Sequence, residues 1–361
     1  MADIYVDGEL ATGNNDGTSW ADAFRTEAAI QGGFDGLVAG ETAHCTRTLT
    51  LTSPLDIDQH SGADGNPIRV IGYNYNGGSP VIDATRFVLD ADHAAAHAIS
   101  ADGVDHWVWE NVEFKKATAD NAYAASSCRY WIFHRCLSRD TQAAGGGNGW
   151  GGAGANWRGA SWLLCEARDN DGMGFDRAYD GAAFIGCLAR GNASYGFRLN
   201  AACTAALCIA HANGHANFYN YAGNVTYLFC VADGAGAFGG VRITAGPTLA
   251  LGCRLTDNTS YGLDISTATV LDLWNCYLNN TTGTVNGGGS LAIHEDKGTE
   301  TRITSGAEGY EDEADDEFNL RLGAAGWRTE VDFPDGVNFL RFARGLPTNV
   351  IPHLAKMGGK Q

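Results

Sequence analysis

Basic residues are scarce in this sequence. Lys and Arg together number 24 against 42 Asp and Glu, a formal net charge of −18 in 361 residues. Nucleic-acid binding needs a basic footprint, so that class is excluded. A polyanionic sugar is disfavoured too, unless a cation or a local basic strip bridges the two. The plainest meaning of the charge is solubility, with adaptation to salty water as the runner-up. Long hydrophobic runs are also missing. No window approaches the roughly 18 apolar residues of a membrane span, and no membrane partner is expected. The start, Met1-Ala2-Asp3-Ile4-Tyr5-Val6-Asp7, has no basic n-region and no apolar h-region, so no signal peptide is visible. That leaves use without Sec export, or a removed signal replaced by an initiator Met. Proline is rare, at 7, while glycine is abundant, at 49. Glycine together with Asn, Asp and Thr marks many tight turns between short strands.

Ten cysteines are present, and their spacing is that of a repeat rather than a disulfide set. Seven of them, Cys136, Cys165, Cys187, Cys208, Cys230, Cys253 and Cys276, follow one another at steps of 29, 22, 21, 22, 23 and 23 residues, and Asn111 fits one step earlier. Two residues before these positions lie Trp109, His134, Leu163, Ile185, Ala206, Leu228, Leu251 and Trp274, a mainly apolar column expected on the cysteine's own face. Five residues after the cysteine come Asn170, Asn192, Asn213 and Asn258, an expected asparagine ladder. Gly or Asn then precedes a second apolar column, Phe175, Phe197, Phe218, Val241 and Leu263. Each repeat thus reads strand, Asn/Gly turn, strand, short turn. Parallel coils at about 4.8 Å per rung make roughly ten coils a stack near 50 Å long. The cysteines are expected as free thiols in a buried inner ladder.

The predicted fold class is all-β: a right-handed parallel β-helix solenoid with an N-terminal helical cap and an irregular C-terminal tail. Residues 1–35 form the cap, with a helix expected over Thr18–Glu27 carrying Trp20 and Phe24 on one face. Residues 36–290 form the coils, and 291–361 a final coil and docking tail. The glycine run Gly145–Gly152 is expected to bulge as a flexible insertion, and it lacks the Lys-Ser/Thr of a P-loop. The acidic stretch Glu308–Glu317 lacks EF-hand spacing and is expected as a solvated turn. Beyond it the tail is apolar at Phe333, Val337, Phe339, Leu340, Phe342 and Leu346, so it folds back or docks on a partner.

The segments Tyr5-Val6-Asp7, Asn15-Asp16-Gly17-Thr18-Ser19-Trp20 and Ala23-Phe24-Arg25-Thr26, followed by repeats such as Gly186-Cys187 through Gly196-Phe197, resemble the pectin-lyase-like β-helix superfamily. The resemblance covers roughly residues 3–325. That superfamily includes polysaccharide lyases, glycoside hydrolases, bacteriophage tailspikes and non-catalytic surface proteins. It implies fold, and says little about activity.

Outward positions beside the Phe column put Asp176, Arg198, Tyr219, Arg242 and Asp264 in one row, with Asn200, Tyr221, Thr244 and Ser266 two residues on. Aromatic faces, cations and carboxylates in register suit a linear polysaccharide. A second outward row holds Arg139, Arg168, Arg190 and His211, close to Asp140 and Asp169, and ion pairing accounts for it equally well. A lyase needs a base near the sugar C5 proton and usually calcium to acidify it, but no Asp cluster is evident beside Lys115 and Lys116. A hydrolase needs two carboxylates, for which Asp176 and Asp180 are the candidates. The pairs His93/His97 and His211/His215 have helical spacing without a third ligand, so no metal site is expected. The best catalytic candidates are Asp176, Arg198, Tyr219 and Arg242, with Asn200, Tyr221, Asp264, Arg168 and Arg190 binding substrate. No cofactor is expected, apart from calcium if the chain is a lyase.

Two functions stand. The favoured one is a structural or carbohydrate-facing virion component of tailspike-like type, whose C-terminal tail contacts other virion proteins. The alternative is a secreted polysaccharide lyase or glycoside hydrolase. Location is accordingly virion or extracellular. The analogy to phage β-helices implies a homotrimer.

Overall fold

A computed structural model describes residues 3–75, 79–142, 146–153, 157–179, 181–200, 202–251, 253–266, 270–274, 277–280, 283–287, 290–294, 310–312 and 317–320. The chain divides into two units, Met1–His294 and Glu295–Gln361. In the second unit the described strands Tyr310–Asp312 and Glu317–Leu320 pair antiparallel. The expectations for the tail beyond residue 331, for most of the acidic stretch, for Cys276 and for Asp180 lie outside the described residues.

The first unit is a parallel β-helix. Successive strands of one sheet come from successive coils: the first sheet runs in order from Ile4–Asp7 to Ser290–His294, the second from Thr48–Thr50 to Tyr277–Asn279, and the third from Leu55–Ile57 to Gly283–Gly287. The apolar column of the third sheet is in register as the spacing predicts. Phe175 pairs with Phe197, Phe197 with Phe218, and Phe218 with Val241. The rings stack, with centroids 4.7 Å apart for Phe175–Phe197 and 5.0 Å for Phe197–Phe218.

The column around the cysteines is shifted by one from the predicted one. The core is filled by Trp109, Phe133, Trp162, Phe184, Ala205 and Tyr227, three positions before the cysteine in every coil that has one. His134, Leu163, Ile185, Ala206 and Leu228 stand on the opposite face of the strand. The cause is the residue just before each cysteine. Arg135, Leu164, Gly186, Leu207 and Phe229 have φ between 52° and 62°, the left-handed region. One such residue turns the chain and resets the strand's period-2 parity, so that Cys136 faces inward along with Phe133. The same register corrects the earliest coil. Asn111 is itself the left-handed residue, at φ 58°, and Val112 occupies the cysteine position. The described cysteines are free and buried. The thiols from Cys136 to Cys253 in the repeat column donate to carbonyls of the coil before, as Cys187 Sγ does to Trp162 O at 3.2 Å and Cys165 Sγ to Phe133 O at 3.2 Å. Burial pushes the thiols of Cys45, Cys165 and Cys208 well up, which keeps them protonated and unreactive.

The asparagine ladder forms, with Asn170 Nδ2 donating to Asn192 Oδ1 and Asn192 Nδ2 to Asn213 Oδ1, both at 2.9 Å. The next rung has Ala235 in place of Asn. Asn217, which stands in the glycine column, fills the gap: Asn213 donates to it at 2.7 Å and it donates to Asn258 Oδ1 at 3.4 Å. The exchange has a packing reason. A β-carbon on Gly174, Gly196 or Gly240 would lie 2.8–3.0 Å from the Nδ2 of the next coil's ladder asparagine. Only where that asparagine is missing does a side chain fit. Asn121, which precedes a coil with Thr141 at the ladder position, follows the same rule and reaches Asn170 Oδ1 at 3.4 Å.

The helix at the N-terminus runs over Glu27–Asp35, later than predicted, with Thr26 as its N-cap accepting from Ala29 N. Thr18–Trp20 is instead a set of bends tied by Asp16 and Ser19. Ile30 and Phe34 are buried, and Phe34 stacks on Trp107 and Trp109 at 6.5 and 6.1 Å, covering the end of the core. Within the glycine run, Trp150–Gly152 is a strand of the third sheet. Trp150 takes the Phe-column position opposite Phe175, and Thr141 Oγ1 donates to Gly147 O at 2.6 Å. The long step around Cys136 has its extra residues on both sides of Trp150: fourteen positions separate Cys136 from Trp150 against ten for Cys165 and Phe175, and fifteen separate Trp150 from Cys165 against twelve for Phe175 and Cys187.

Candidate functional site on the third sheet

The third-sheet strands carry the predicted outward row. Arg198 pairs with Tyr219, Tyr219 with Arg242, and Arg242 with Asp264. Asp176 joins them through an ion pair, Arg198 Nη1 to Asp176 Oδ1 at 3.3 Å. Asp176 is 5% exposed, so this pair is largely desolvated. The second cation sits alike, with Arg242 Nε 3.6 Å from Asp264 Oδ2.

Aromatic rings cover both guanidinium groups. Arg198 lies 4.4 Å from the ring centre of Tyr221, and Arg242 lies 3.8 Å from that of Phe238 and 5.5 Å from that of Tyr219. Tyr219 is 8% exposed because Tyr195 stacks on it at 4.4 Å. Arg242 Nη1 donates to the Tyr195 hydroxyl at 2.9 Å. Burial pushes the Tyr195 phenol up, against the pull of Arg242, so it stays a protonated donor at neutral pH. His215 meets Ser194 Oγ at 3.1 Å and packs edge-on against Phe238. Tyr221 is 45% exposed and forms the open part of the platform.

Tyr195, His215 and Phe238 were not singled out from the sequence. Their signal was there: they are bulky residues two or three positions before the Phe column, in a turn whose other residues are Gly, Ala, Ser and Asn. Asp120 was missed too. Its carboxylate occupies the space over Gly151, where a β-carbon would collide with it. Asn148 joins it to Asp176, with Asn148 N donating to Asp120 Oδ1 at 2.8 Å and Asn148 Nδ2 to Asp176 Oδ2 at 3.4 Å. Asp120 belongs to the coil two rungs before that of Asp176, since Ala122 pairs with Trp150 and Trp150 with Phe175, and its carboxylate reaches over Gly151 on the rung between them. Asp176 and Asp264 are four rungs apart, roughly 19 Å, too far to act on one bond.

Three predicted residues are not on this face. Asn200 is 2% exposed, because the register slips between Leu199 and Asn200 and pairs it with Ala222, out of line with Tyr221. Arg168 and Arg190 are on the second sheet, paired with each other in register. Glu166 Oε1 lies 3.7 Å from Arg168 Nε and 3.2 Å from Arg190 Nε. In the same row Arg139 meets Glu113 at 2.7 Å, and His211 meets Asp233 at 2.9 Å. The partners are Glu113 and, as the spacing predicts, Asp140 for Arg139, Glu166 for Arg168 and Arg190, and Asp233 for His211. Lys115 and Lys116 have an acid beside them after all, Asp90, at 3.1 and 3.3 Å. His97 Nδ1 donates to Asp120 O at 2.9 Å, and its ring stacks on Tyr123. Among the described residues no three His, Cys, Asp or Glu side chains are grouped to hold a metal ion, and no helix is long and apolar enough to cross a membrane.

No family model and no curated protein matches the chain. Solved structures do. A pectate lyase, Pel9A, superposes with a TM-score of 0.56 at 17% identity, over 86% of this chain and 83% of that one. The gp42 tailspike of Acinetobacter phage vb_AbaP_AS12 matches with a TM-score of 0.46 at 12% identity, over 81% of this chain and 63% of the tailspike. A GH136 lacto-N-biosidase from Eubacterium ramulus matches with a TM-score of 0.43 at 10% identity, over 81% and 68%. The pectate lyase likeness agrees with the parallel β-helix fold described above.

Proposed function

We propose that the chain is a carbohydrate-binding β-helix whose ligand, a linear polysaccharide, lies along the third-sheet row from Asp176 to Asp264. The observation that carries this reading is the pairing of an exposed ring with a buried ion pair: Tyr221 is 45% exposed and stacks on Arg198, which Asp176 holds at 3.3 Å. A pyranose offers C–H bonds on one face and hydroxyls at its edge. A tyrosine ring packs the first, and fixed guanidinium and carboxylate groups bond the second. Arg242, Tyr195, Tyr219 and Phe238 repeat the arrangement two rungs on. The proposal leaves out Asn200, Arg168 and Arg190. The likeness of fold to a pectate lyase supports it at the level of class. A virion-associated role belongs to the same proposal, and co-purification with assembled particles at fixed stoichiometry tests it. Binding to a polysaccharide panel should fall at least tenfold in Tyr221→Ala and in Arg198→Gln. Affinity unchanged in both variants would overturn the reading.

One arrangement favours a catalytic version. Asp120 and Asp176 both accept from Asn148, so two carboxylates converge on one side chain of this face, the pair of groups that glycoside hydrolysis uses. One carboxyl would protonate the leaving oxygen while the other takes the proton of the attacking water or itself attacks. New reducing ends that vanish in both Asp120→Asn and Asp176→Asn support hydrolysis. Unsaturated uronates that require added calcium would instead make the chain a lyase.

A further inference from the structure

The charge along this face is arranged for one class of polymer. Among the described side chains, four carboxylates lie on or over the outward row, those of Asp56, Asp120, Asp176 and Asp264, against the guanidinium groups of Arg198 and Arg242. Each guanidinium already has a carboxylate, at 3.3 Å for Arg198 and 3.6 Å for Arg242, and an aromatic ring over its face. Two further cations, Arg129 and Arg158, pair on short strands off this row, and Asp105 accepts from the Arg129 backbone. The second-sheet arginines Arg139, Arg168 and Arg190 stand on another sheet and are matched by Glu113, Asp140 and Glu166.

We propose that this face takes a neutral polysaccharide and discriminates against a polyuronate. The proposal rests on the third-sheet face being the binding site. A uronate carboxylate reaching Arg198 would have to displace Asp176, leaving that buried acid without its cation. It would also lie within a rung or two of Asp120, so like charges would face each other at short range. Sugar hydroxyls meet neither obstacle. A hydroxyl donates to the carboxylate and accepts from the guanidinium at once, leaving the ion pair intact. The exposed Tyr221 ring supplies the C–H face, whose packing is indifferent to charge.

The full chain is titrated by calorimetry with two neutral polymers, dextran and galactomannan, and two uronates, polygalacturonate and alginate, with and without calcium. A neutral polymer should bind at least tenfold more tightly than either uronate, with less than a twofold change between 0.05 and 0.5 M salt, both figures being about what fixed hydrogen bonds without ionic attraction give. Asp264→Asn frees Arg242 and should move the preference toward uronates by about tenfold. Asp176→Asn should do the same at Arg198, so the test survives if one variant fails to fold. A uronate bound more tightly than both neutral polymers, with or without calcium, overturns the charge inference. If Tyr221→Ala abolishes that binding, the face itself stands. No binding of any of the four at millimolar saccharide overturns both.

Discussion

The inner and outer sides of the third-sheet strands differ by a single residue in sequence and greatly in how strictly they repeat. Inside, Phe175, Phe197 and Phe218 stack copy on copy, and the row continues as Val241 and Leu263. Outside, the same rungs read Asp176, Arg198, Tyr219, Arg242 and Asp264, with no copy repeated on the next rung. An inward side chain meets its own equivalents above and below, so repetition is the simplest way to fill the space. An outward side chain has no such constraint. A non-repeating row in which cations, acids and rings are nonetheless mutually engaged has been arranged for something outside the coil.

The largest expected effect breaks the inner side. Cys208 is fully buried, and its thiol donates to Phe184 O at 3.5 Å and Ala206 O at 3.4 Å. Cys208→Asp replaces that donor with an acceptor facing two carbonyl oxygens. The cost should be on the order of 3–5 kcal/mol, or folding should fail. Cys208→Ser keeps the donor and should lose less than half as much by chemical denaturation. Equal losses would mean that volume, not the thiol's hydrogen bonds, governs the position.

The coil architecture was legible because the repeat is written by inward residues, and their spacing survives without knowledge of the turns. The parity of the first sheet was not legible. Nothing about Arg135, Leu164 or Phe229 marks them as left-handed, since that region normally favours Gly or Asn. The start of the helix was displaced because Thr18-Ser19 and Thr26 are equally good caps by type. Only the position of Phe34 under Trp107 decides between them. At the site, the row itself followed from period 2, but Tyr195 and Asp120 reach it from turns. Asn200 left it through a one-residue register slip that no pattern announces.

A smaller effect sharpens the rule that links glycine and asparagine. Asn217→Gly removes the amide that bridges Asn213 to Asn258 across Ala235. It leaves buried polar groups unpaired and should cost about 1–3 kcal/mol. Adding Ala235→Asn should restore much of that, because the double variant recreates the pattern of the neighbouring coils. Ala235→Asn alone should destabilise, since Asn217 already occupies the space. The double-mutant cycle checks this by its coupling energy. Strictly additive losses would show that the two positions do not share one site.

The smallest effect tests the outer side against itself. The second-sheet row and the third-sheet row are both arginine ladders on an acidic protein, and composition alone makes them equivalent. They differ in company. Arg190 is 25% exposed, with its Nε 3.2 Å from Glu166 Oε1. Arg198 lies 14% exposed under Tyr221 and against a nearly buried acid. An exposed ion pair contributes about 0–1 kcal/mol, so Arg190→Gln should shift stability by no more than that and leave polysaccharide affinity within twofold. Arg198→Gln removes the ion pair to Asp176, should lower affinity at least tenfold and should show its stability loss most clearly above the range where carboxylates protonate. Measured side by side, equal effects on binding would erase the distinction between a strip of neutralised charge and a site built from charge and rings together.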